Sequence, residues 1–355
     1  MKVDIIIPVY NQLSFTKECI ESIRKNTKIP YHLIIVDDNS NEETKRYLNF
    51  LSHNTEITIL HNGVNLGWIV SVNRGINISN AEYLCIMNND TVVYPDWLEE
   101  MVLIAERHPQ IGLVNPEWNL PKHFRGTKED FYNKYICKNR GKYIETDWIR
   151  GFCFLTKRAV IAKLKGLDSV FTFGYYDDWD FSLRVLQEGF LCVRALGSFV
   201  WHYKNITYGQ TRLNHLLIKN REIFEKRWGQ FKKCFLLIDD SLKNRVNEIK
   251  ESCFRILRRQ TRIFIITSLK NFDLRHTNCK IIRVPQFIIL FFLYGQLIRN
   301  RIGSESKHFD FVICQDSNLV KPLLKIKFFN QNKYILKTID ELESCHNGKI
   351  KILEG

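Results

Sequence analysis

Along the first 115 positions, apolar residues come in short unbroken runs, each closed by a polar break and followed by a helical period. The runs are Asp4-Ile5-Ile6-Ile7-Pro8-Val9-Tyr10, residues 31–36, Ile57-Thr58-Ile59-Leu60 and Tyr83-Leu84-Cys85-Ile86-Met87. Apolar runs of this length without alternation predict strands buried on both faces. Between them, Phe15, Cys19, Ile20 and Ile23 share one helix face behind a candidate Ser14 cap, and Val72 and Ile76 share another. Strand alternating with helix through short connections predicts an α/β fold with a mostly parallel, doubly wound, Rossmann-like sheet flanked by helices. Such sheets bind ligands beyond the carboxyl ends of their strands. That places Pro8-Val9-Tyr10, Asp37-Asp38 and Asn88-Asn89-Asp90 on one rim.

Farther along, Trp148-Ile149-Arg150-Gly151-Phe152-Cys153-Phe154-Leu155 predicts another strand. Then Asp177, Asp178 and Asp180, wrapped by Tyr175, Tyr176 and Trp179, open a helix with Phe181, Val185 and Leu186 among its apolar residues. From 241 to 262 there are seven basic residues against two acidic, with Val246, Ile249, Cys253, Ile256 and Leu257 at helical spacing. A basic amphipathic helix of this kind fits an anionic membrane surface, and equally a connector packed on the domain before it. A second α/β pattern follows, with strands at Phe264-Ile265-Ile266 and 309–316, a helix at 287–297, and a last apolar run around Ile335. The expected organisation is a catalytic domain at 1–235, a basic helical connector at 236–262 and a small α/β module at 263–355.

Composition narrows the chemistry. With 355 residues, 45% hydrophobic, the chain suffices for one large domain or two ordinary ones. The net charge of +14 favours an anionic partner such as a nucleotide, a phospholipid surface or nucleic acid. No nucleic-acid-binding motif accompanies the dispersed basic residues, so nucleic acid is set aside. Ten cysteines, scattered singly without a C-x-x-C pair, point to reduced thiols and a cytoplasmic setting. Met1-Lys2-Val3-Asp4 runs directly into a strand, so no leader is expected, and the longest apolar run, 287–294, is far short of the roughly 20 residues a membrane span needs. No G-x-G-x-x-G follows the first strand and no G-x-x-x-x-G-K-[ST] occurs. Phosphates must therefore be held another way, and a strand-end carboxylate can do so through Mg²⁺ or Mn²⁺.

Four motifs in sequence carry a family resemblance: Pro8-Val9-Tyr10-Asn11, Val36-Asp37-Asp38-Asn39-Ser40, Asn65-Leu66-Gly67-Trp68 leading to Asn73-Arg74-Gly75, and Asn88-Asn89-Asp90. Together they resemble family 2 glycosyltransferases of the GT-A fold, in the rhamnosyltransferase-like form whose metal-binding DxD reads NND. Asp177-Asp178-Trp179-Asp180 with Arg184 resembles the family's GED-x-D-L-x-x-R segment, with Asp177 where Glu is usual. Phe199-Val200-Trp201-His202-Tyr203 resembles its terminal His element, and 220–229 its usual close, so the likeness spans about residues 3–230. Residues 119–147, basic and aromatic (Lys122, His123, Phe124, Arg125, Tyr132, Tyr135, Tyr143), stand where the family varies near the acceptor; a solvated insertion explains them as well. Residues 309–316 faintly resemble the start of a GT-B glycosyltransferase, too short here for a two-lobed enzyme.

The resemblance implies an inverting transfer of a sugar from a UDP- or dTDP-sugar to a saccharide or lipid-linked acceptor in surface polysaccharide synthesis. It assigns Pro8, Tyr10, Asp38, Asn65, Gly67, Asn73, Asn89 and Asp90 to the nucleotide sugar, and Asp90 with His202 to a divalent cation. Asp178, with Asp177 next, becomes the general base, and Tyr176 and Trp179 become platforms for acceptor or sugar stacking. Each assignment has a plainer rival: Asp38 an Asx turn with Asn39 and Ser40, Asp90 a helix cap, His202 a structural histidine, and the Asp177–Asp178 pair helix caps. Aromatic cover would raise the pKa of that pair and the helix N-terminus would lower it. Localisation is expected to be cytoplasmic and peripheral on the inner face of the membrane. A catalytically inactive nucleotide- or glycan-binding relative is the alternative.

Overall fold

The computed structural model describes residues 3–121, 124–203, 210–289, 291–292, 295, 309–314 and 335–336. The chain forms two units, residues 1–229 and 230–355.

In the first unit the four apolar runs become strands in order. They are β1 (Val3–Val9), β2 (Tyr31–Asp37), β3 (Ile57–His61) and β4 (Tyr83–Met87), linked by α1 (Leu13–Asn26), α2 (Glu42–Leu51) and α3 (Trp68–Ile78). Next come β5 (Thr91–Val93), α4 (Trp97–Arg107), β6 (Ile111–Glu117), the short α5 (Lys128–Phe131), β7 (Tyr143–Thr146), β8 (Cys153–Lys157), α6 (Arg158–Leu164), α7 (Asp177–Gln187), β9 (Leu191–His202) and α8 (Gln210–Trp228). The sheet runs β3-β2-β1-β4-β8-β6-β9-β5, with β7 on β9. Alternate residues of β1 serve opposite faces, as the period of two demands. Ile5 and Ile7 join α1, α2 and α4 in one core, while Ile6 joins α3, α6, α7 and α8 in the other. Each fully buried isoleucine contributes on the order of 1.5–3 kcal/mol.

The expectation of a mostly parallel sheet holds for half of it. Strands β3, β2, β1 and β4 are parallel, as are β6 and β9, but β8 runs antiparallel to both β4 and β6. The reversal has a functional consequence. The start of an antiparallel strand lies at the same edge as the ends of its parallel neighbours. The apolar stretch from 148 is therefore only partly strand: Trp148 to Phe152 form the approach to β8 and sit on the rim.

The second unit contains β10 (Lys232–Ile238), α9 (Val246–Leu257), β11 (Thr261–Thr267), β12 (Cys279–Arg283), β13 (Phe311–Cys314) and β14 (Ile335–Leu336). Its five strands, in the order β12-β11-β10-β13-β14, are all parallel. The expected boundary at 235 falls inside β10. The basic connector expected at 236–262 is instead part of this unit, because Ile249, Cys253, Ile256 and Leu257 of α9 are buried in its core with Cys234, Leu236 and Ile263. That apolar face is unavailable to a bilayer. Residues 290, 293–294 and 296–297 of the helix expected at 287–297, and most of the chain beyond 314, lie outside the described residues.

Candidate active site

The four parallel strands deliver their carboxyl ends to one edge, and the order reverses between β1 and β4, where doubly wound sheets open a crevice. A cavity of about 690 Å³ occupies that edge. Among its walls are Pro8, Tyr10, Asp38, Asn89, Asp90 and His202, together with Tyr176, Asp177, Asp178 and Trp179. The structure thus gathers at one space ten of the residues singled out in the sequence. Asn65, Gly67 and Asn73 are not among its lining residues.

Asn73 and Gly67 have other work. Asn73 braces the chain after α6, with its Nδ2 donating to the Leu167 carbonyl (2.8 Å) and its Oδ1 accepting from the Leu167 amide (3.0 Å). Each end of its amide thus bonds a backbone 94 positions away, and Asn73 does not line the cavity. Gly67 (φ 87°) turns the chain into α3, where a Cβ would stand 2.8 Å from the Phe173 ring. The amides of Leu66 and Gly67 donate to the two oxygens of Asp38 (2.8 Å each), and Asn62 Nδ2 adds a third bond (2.7 Å). Asp38 lines the cavity while it holds this loop closed.

On the β4–β5 link, Asn88 Oδ1 accepts from Trp68 Nε1 (2.9 Å), and Asn89 Nδ2 donates to Thr16 Oγ1 (2.9 Å). Both amides are committed to the scaffold. Asp90 instead meets His202 Nε2 at 3.2 Å, because β5 pairs antiparallel with β9 and places Thr91 opposite His202. The imidazole stacks on Phe152, ring centroids 4.8 Å apart at 13°. One carboxylate oxygen and one imidazole nitrogen, fixed this closely, suit a divalent cation completed by diphosphate oxygens and water. Among the described residues no group of three or more His, Cys, Asp or Glu converges as a self-contained metal cage.

Across the cavity, α7 begins in strained backbone: Tyr175 and Tyr176 both have φ 69°, after Gly174 at 118°. Two bulky residues in the left-handed region cost of order 1–3 kcal/mol each and persist only where the surroundings impose them. Asn220 of α8 does so. Its buried Nδ2 donates to the carbonyls of Phe171 (2.6 Å), Gly174 (2.7 Å) and Tyr175 (3.3 Å). Phe224, one turn on, packs against the rings of Tyr176 and Trp179. Asp180 is fully buried and satisfied by Arg184, Arg227 and Trp228.

The remaining two acids differ. Asp177 is 4% exposed, and burial pushes its carboxyl well above the usual range, with the Asp178 charge adding to the shift. Asp178 is half-buried at the cavity and is also raised by burial, while the Gly151 amide, Trp148 and Arg150 pull the other way. Its Oδ2 accepts from Gly151 N (2.9 Å) and its Oδ1 from Trp179 N (2.8 Å). Between aromatic cover and helix terminus, burial wins.

Sequence reasoning assigned no role to Trp68, Trp118, Trp148, Arg150, Phe152 or Phe173, which also line the cavity. Trp68 reaches the rim at the start of α3, and the others through the approach to the antiparallel β8, the end of β6 and the α7 approach, placements with no local sequence signature.

Residues 4–164, most of the first unit, match the profile of glycosyl transferase family 2. The first unit belongs to glycosyltransferase family 2. A glucosyl-dolichyl phosphate glucuronosyltransferase of Haloferax volcanii is 24% identical over 330 residues, 85% of this chain and 98% of that protein. The glycosyltransferase YibD of Escherichia coli is 28% identical over 153 residues, and there the match spans 43% of the relative and 42% of this chain. Among solved structures, the mannosyltransferase PcManGT of Pyrobaculum calidifontis, in complex with GDP-Man and Mn²⁺, aligns with 16% identity over 63% of this chain and 64% of its own. Its TM-score is 0.49. Within the glycosyltransferase domain, the profile ends before α7, so the acids of α7 and His202 rest on geometry rather than on the match.

Proposed function

We propose that the glycosyltransferase domain transfers a hexosyl or deoxyhexosyl unit, with inversion, from a UDP- or dTDP-sugar to a saccharide or lipid-linked acceptor in surface polysaccharide synthesis. One observation carries the reading: Asp178 on one wall and the Asp90–His202 pair on another open into the same cavity. Single displacement needs that pairing. The acceptor hydroxyl oxygen forms a bond to the anomeric carbon while the bond from that carbon to the diphosphate oxygen breaks. The hydroxyl proton passes to Asp178, and the electron pair leaves with the nucleoside diphosphate. A divalent cation, Mg²⁺ or Mn²⁺, held by Asp90 and His202, would neutralise the diphosphate. Asp38 and Tyr10 line the nucleotide side, and Tyr176 and Trp179, stacked at 10°, offer an apolar face to a sugar ring.

The Haloferax relative, named for a dolichyl phosphate substrate and aligned along nearly its whole length, supports a lipid-linked acceptor. No helix among the described residues is long and apolar enough to cross a membrane. Attachment to an anionic inner membrane face, with the enzyme on the cytoplasmic side, would then use charge rather than the buried face of α9.

The test is nucleoside diphosphate release across a panel of UDP-, dTDP- and GDP-sugars, with saccharide and prenyl-phosphate-linked acceptors, with and without Mn²⁺. Acceptor-dependent release that EDTA abolishes and Mn²⁺ restores is expected. A second reading, an inactive nucleotide- or glycan-binding relative, is favoured by Asn88, whose amide is committed to Trp68 and leaves a single carboxylate on the β4–β5 link. Tight nucleotide binding with no turnover of any donor would establish that reading instead.

A further inference from the structure

The cavity contains a cation that the proposed reaction does not use. Arg150 lines the wall beside Asp178 and is open to the cavity. Its guanidinium lies 3.6 Å from the Trp148 ring centroid and 5.6 Å from that of Trp118. Trp118 is in turn held 5.5 Å from Arg194, whose charge is already paired with Glu117 at 3.0 Å. Among the described residues the Arg150 guanidinium makes ring contacts but no hydrogen bond or ion pair. Its backbone is fixed. Arg150 N donates to Asn115 Oδ1 (2.7 Å), and Asn115 Nδ2 returns a bond to the Arg150 carbonyl (3.1 Å).

A guanidinium stacked on an indole keeps its in-plane N–H edge free, and that edge matches the two oxygens of a phosphate or carboxylate. Asp178 attracts the guanidinium through space but stands outside salt-bridge distance and takes its hydrogen bonds from the Gly151 and Trp179 amides, which leaves the N–H edge of Arg150 without a bonded partner among the described residues. Arg150 directly precedes Gly151, so the charge sits on the side of the candidate base, where the attacking hydroxyl must lie. The nucleotide side of the cavity belongs to Asp38 and Asp90.

We infer that Arg150 recognises an acidic acceptor, binding a phosphate or carboxylate oxyanion close to the reacting hydroxyl, with Trp118 and Trp148 as the apolar walls of that subsite. The inference rests on the proposed transferase reading and specifies which acceptors it takes. The phosphate of a lipid-linked saccharide and the carboxylate of a uronic acid offer the same oxyanion chemistry.

Three glucose-derived acceptors with the same tail separate the cases: octyl glucoside, octyl glucuronide and glucosyl octyl phosphate, each assayed for nucleoside diphosphate release. Wild type is expected to favour at least one charged acceptor over octyl glucoside by roughly tenfold or more in kcat/KM. Whichever charged arm is favoured identifies the source. Arg150→Gln should erase that preference mainly through KM for the charged acceptor, and Arg150→Lys should restore part of it. UDP affinity measured by calorimetry should be the same in wild type and Arg150→Gln. Equal use of all three acceptors by wild type overturns the inference while leaving the transferase reading intact. So does a loss of UDP affinity in the variant, which would place the guanidinium on the donor diphosphate. Absence of turnover with every donor and acceptor would overturn the transferase reading itself.

Discussion

Both units are open sheets with an acidic pair at the carboxyl end of an inner strand, yet those pairs are used differently. In the second unit, Asp239 follows β10 and accepts from the Ser241 amide (2.9 Å) and hydroxyl (2.5 Å), while Asp240 accepts from the Ser268 hydroxyl (2.6 Å). Both acids hold turns. In the first unit, Asp37 does the same with Ser40 N (2.9 Å) and His61 Nδ1 (2.9 Å), but Asp38 also faces a cavity. What separates the two is the second half of the first sheet. The five parallel strands of the second unit bring only strand ends to their rim. The first unit adds the antiparallel start of β8, which carries Arg150 and Phe152, and the end of β9, which carries His202. A parallel edge provides acids; an inserted antiparallel strand builds walls around them.

Charge divides along the same line. Residues 1–229 carry 29 Lys and Arg against 26 Asp and Glu, whereas residues 230–355 carry 23 against 12. The +14 of the whole chain resides mainly in the second unit, so it is not a signature of nucleotide binding. On the proposed function, diphosphate recognition in the first unit would depend on a few placed groups rather than on a general positive field.

Removing one acid from each rim should separate the two units most strongly. Asp178→Asn should lower transfer by about 10²–10⁴-fold, the usual contribution of a general base, with thermal unfolding close to wild type. Asp90→Ala should act similarly and also remove the response to Mn²⁺. Asp239→Asn should leave kcat within about twofold while lowering stability by the order of one hydrogen bond, about 1 kcal/mol. Equal losses of activity from Asp178→Asn and Asp239→Asn would show that both rims take part in the chemistry.

The strained entry to α7 offers the next test. Asn220→Ala leaves the buried carbonyls of Phe171 and Gly174, and the partly buried one of Tyr175, without their shared donor and should destabilise by roughly 1–3 kcal/mol, read as a lower Tm. Transfer should fall by about tenfold or more as Tyr176 and Asp178 lose their fixed placement. Unchanged activity at a temperature where the variant remains folded would mean that Asn220 does not position the site.

Smaller effects come from pH. Because burial raises the Asp178 carboxyl, the acid limb of kcat/KM should lie above the ordinary carboxylate range, with rate lost as pH falls through it. The same physics acts on stability with a definite sign. Asp177 is raised in the folded state, so the folded protein binds the proton more tightly than the unfolded chain. Its contribution is fully present below the usual carboxylate pKa and is lost as pH rises through the raised folded value. Asp177→Asn should therefore raise Tm relative to wild type at pH 7–8, with the gain shrinking toward pH 4. A gain that grew on acidification would reverse the assignment of Asp177 as the uncomfortable acid.

The difference between the two rims also marks how far residues alone could be read. The strands β1 to β4 were legible because continuous apolar runs leave no other way to bury themselves, and Asp38, Asp90, Asp178 and His202 were legible as polar breaks or family positions. The contacts of Asn73 were not legible, because its motif position is the same whether its amide meets a ligand or a backbone 94 residues away. The basic helix at 246–257 misled because an apolar stripe of that spacing fits a membrane and a protein core equally well. Local sequence determined the first sheet, its rim and the acids on it, since burial and turn chemistry act within a few residues. Tertiary structure alone decided that β8 would run backwards, that Asn220 would clamp Tyr175 and Tyr176 into left-handed backbone, and that Arg150 would stack on Trp148 with its charge unpaired. Each joins segments tens of residues apart, and no local period records which partner a side chain will meet.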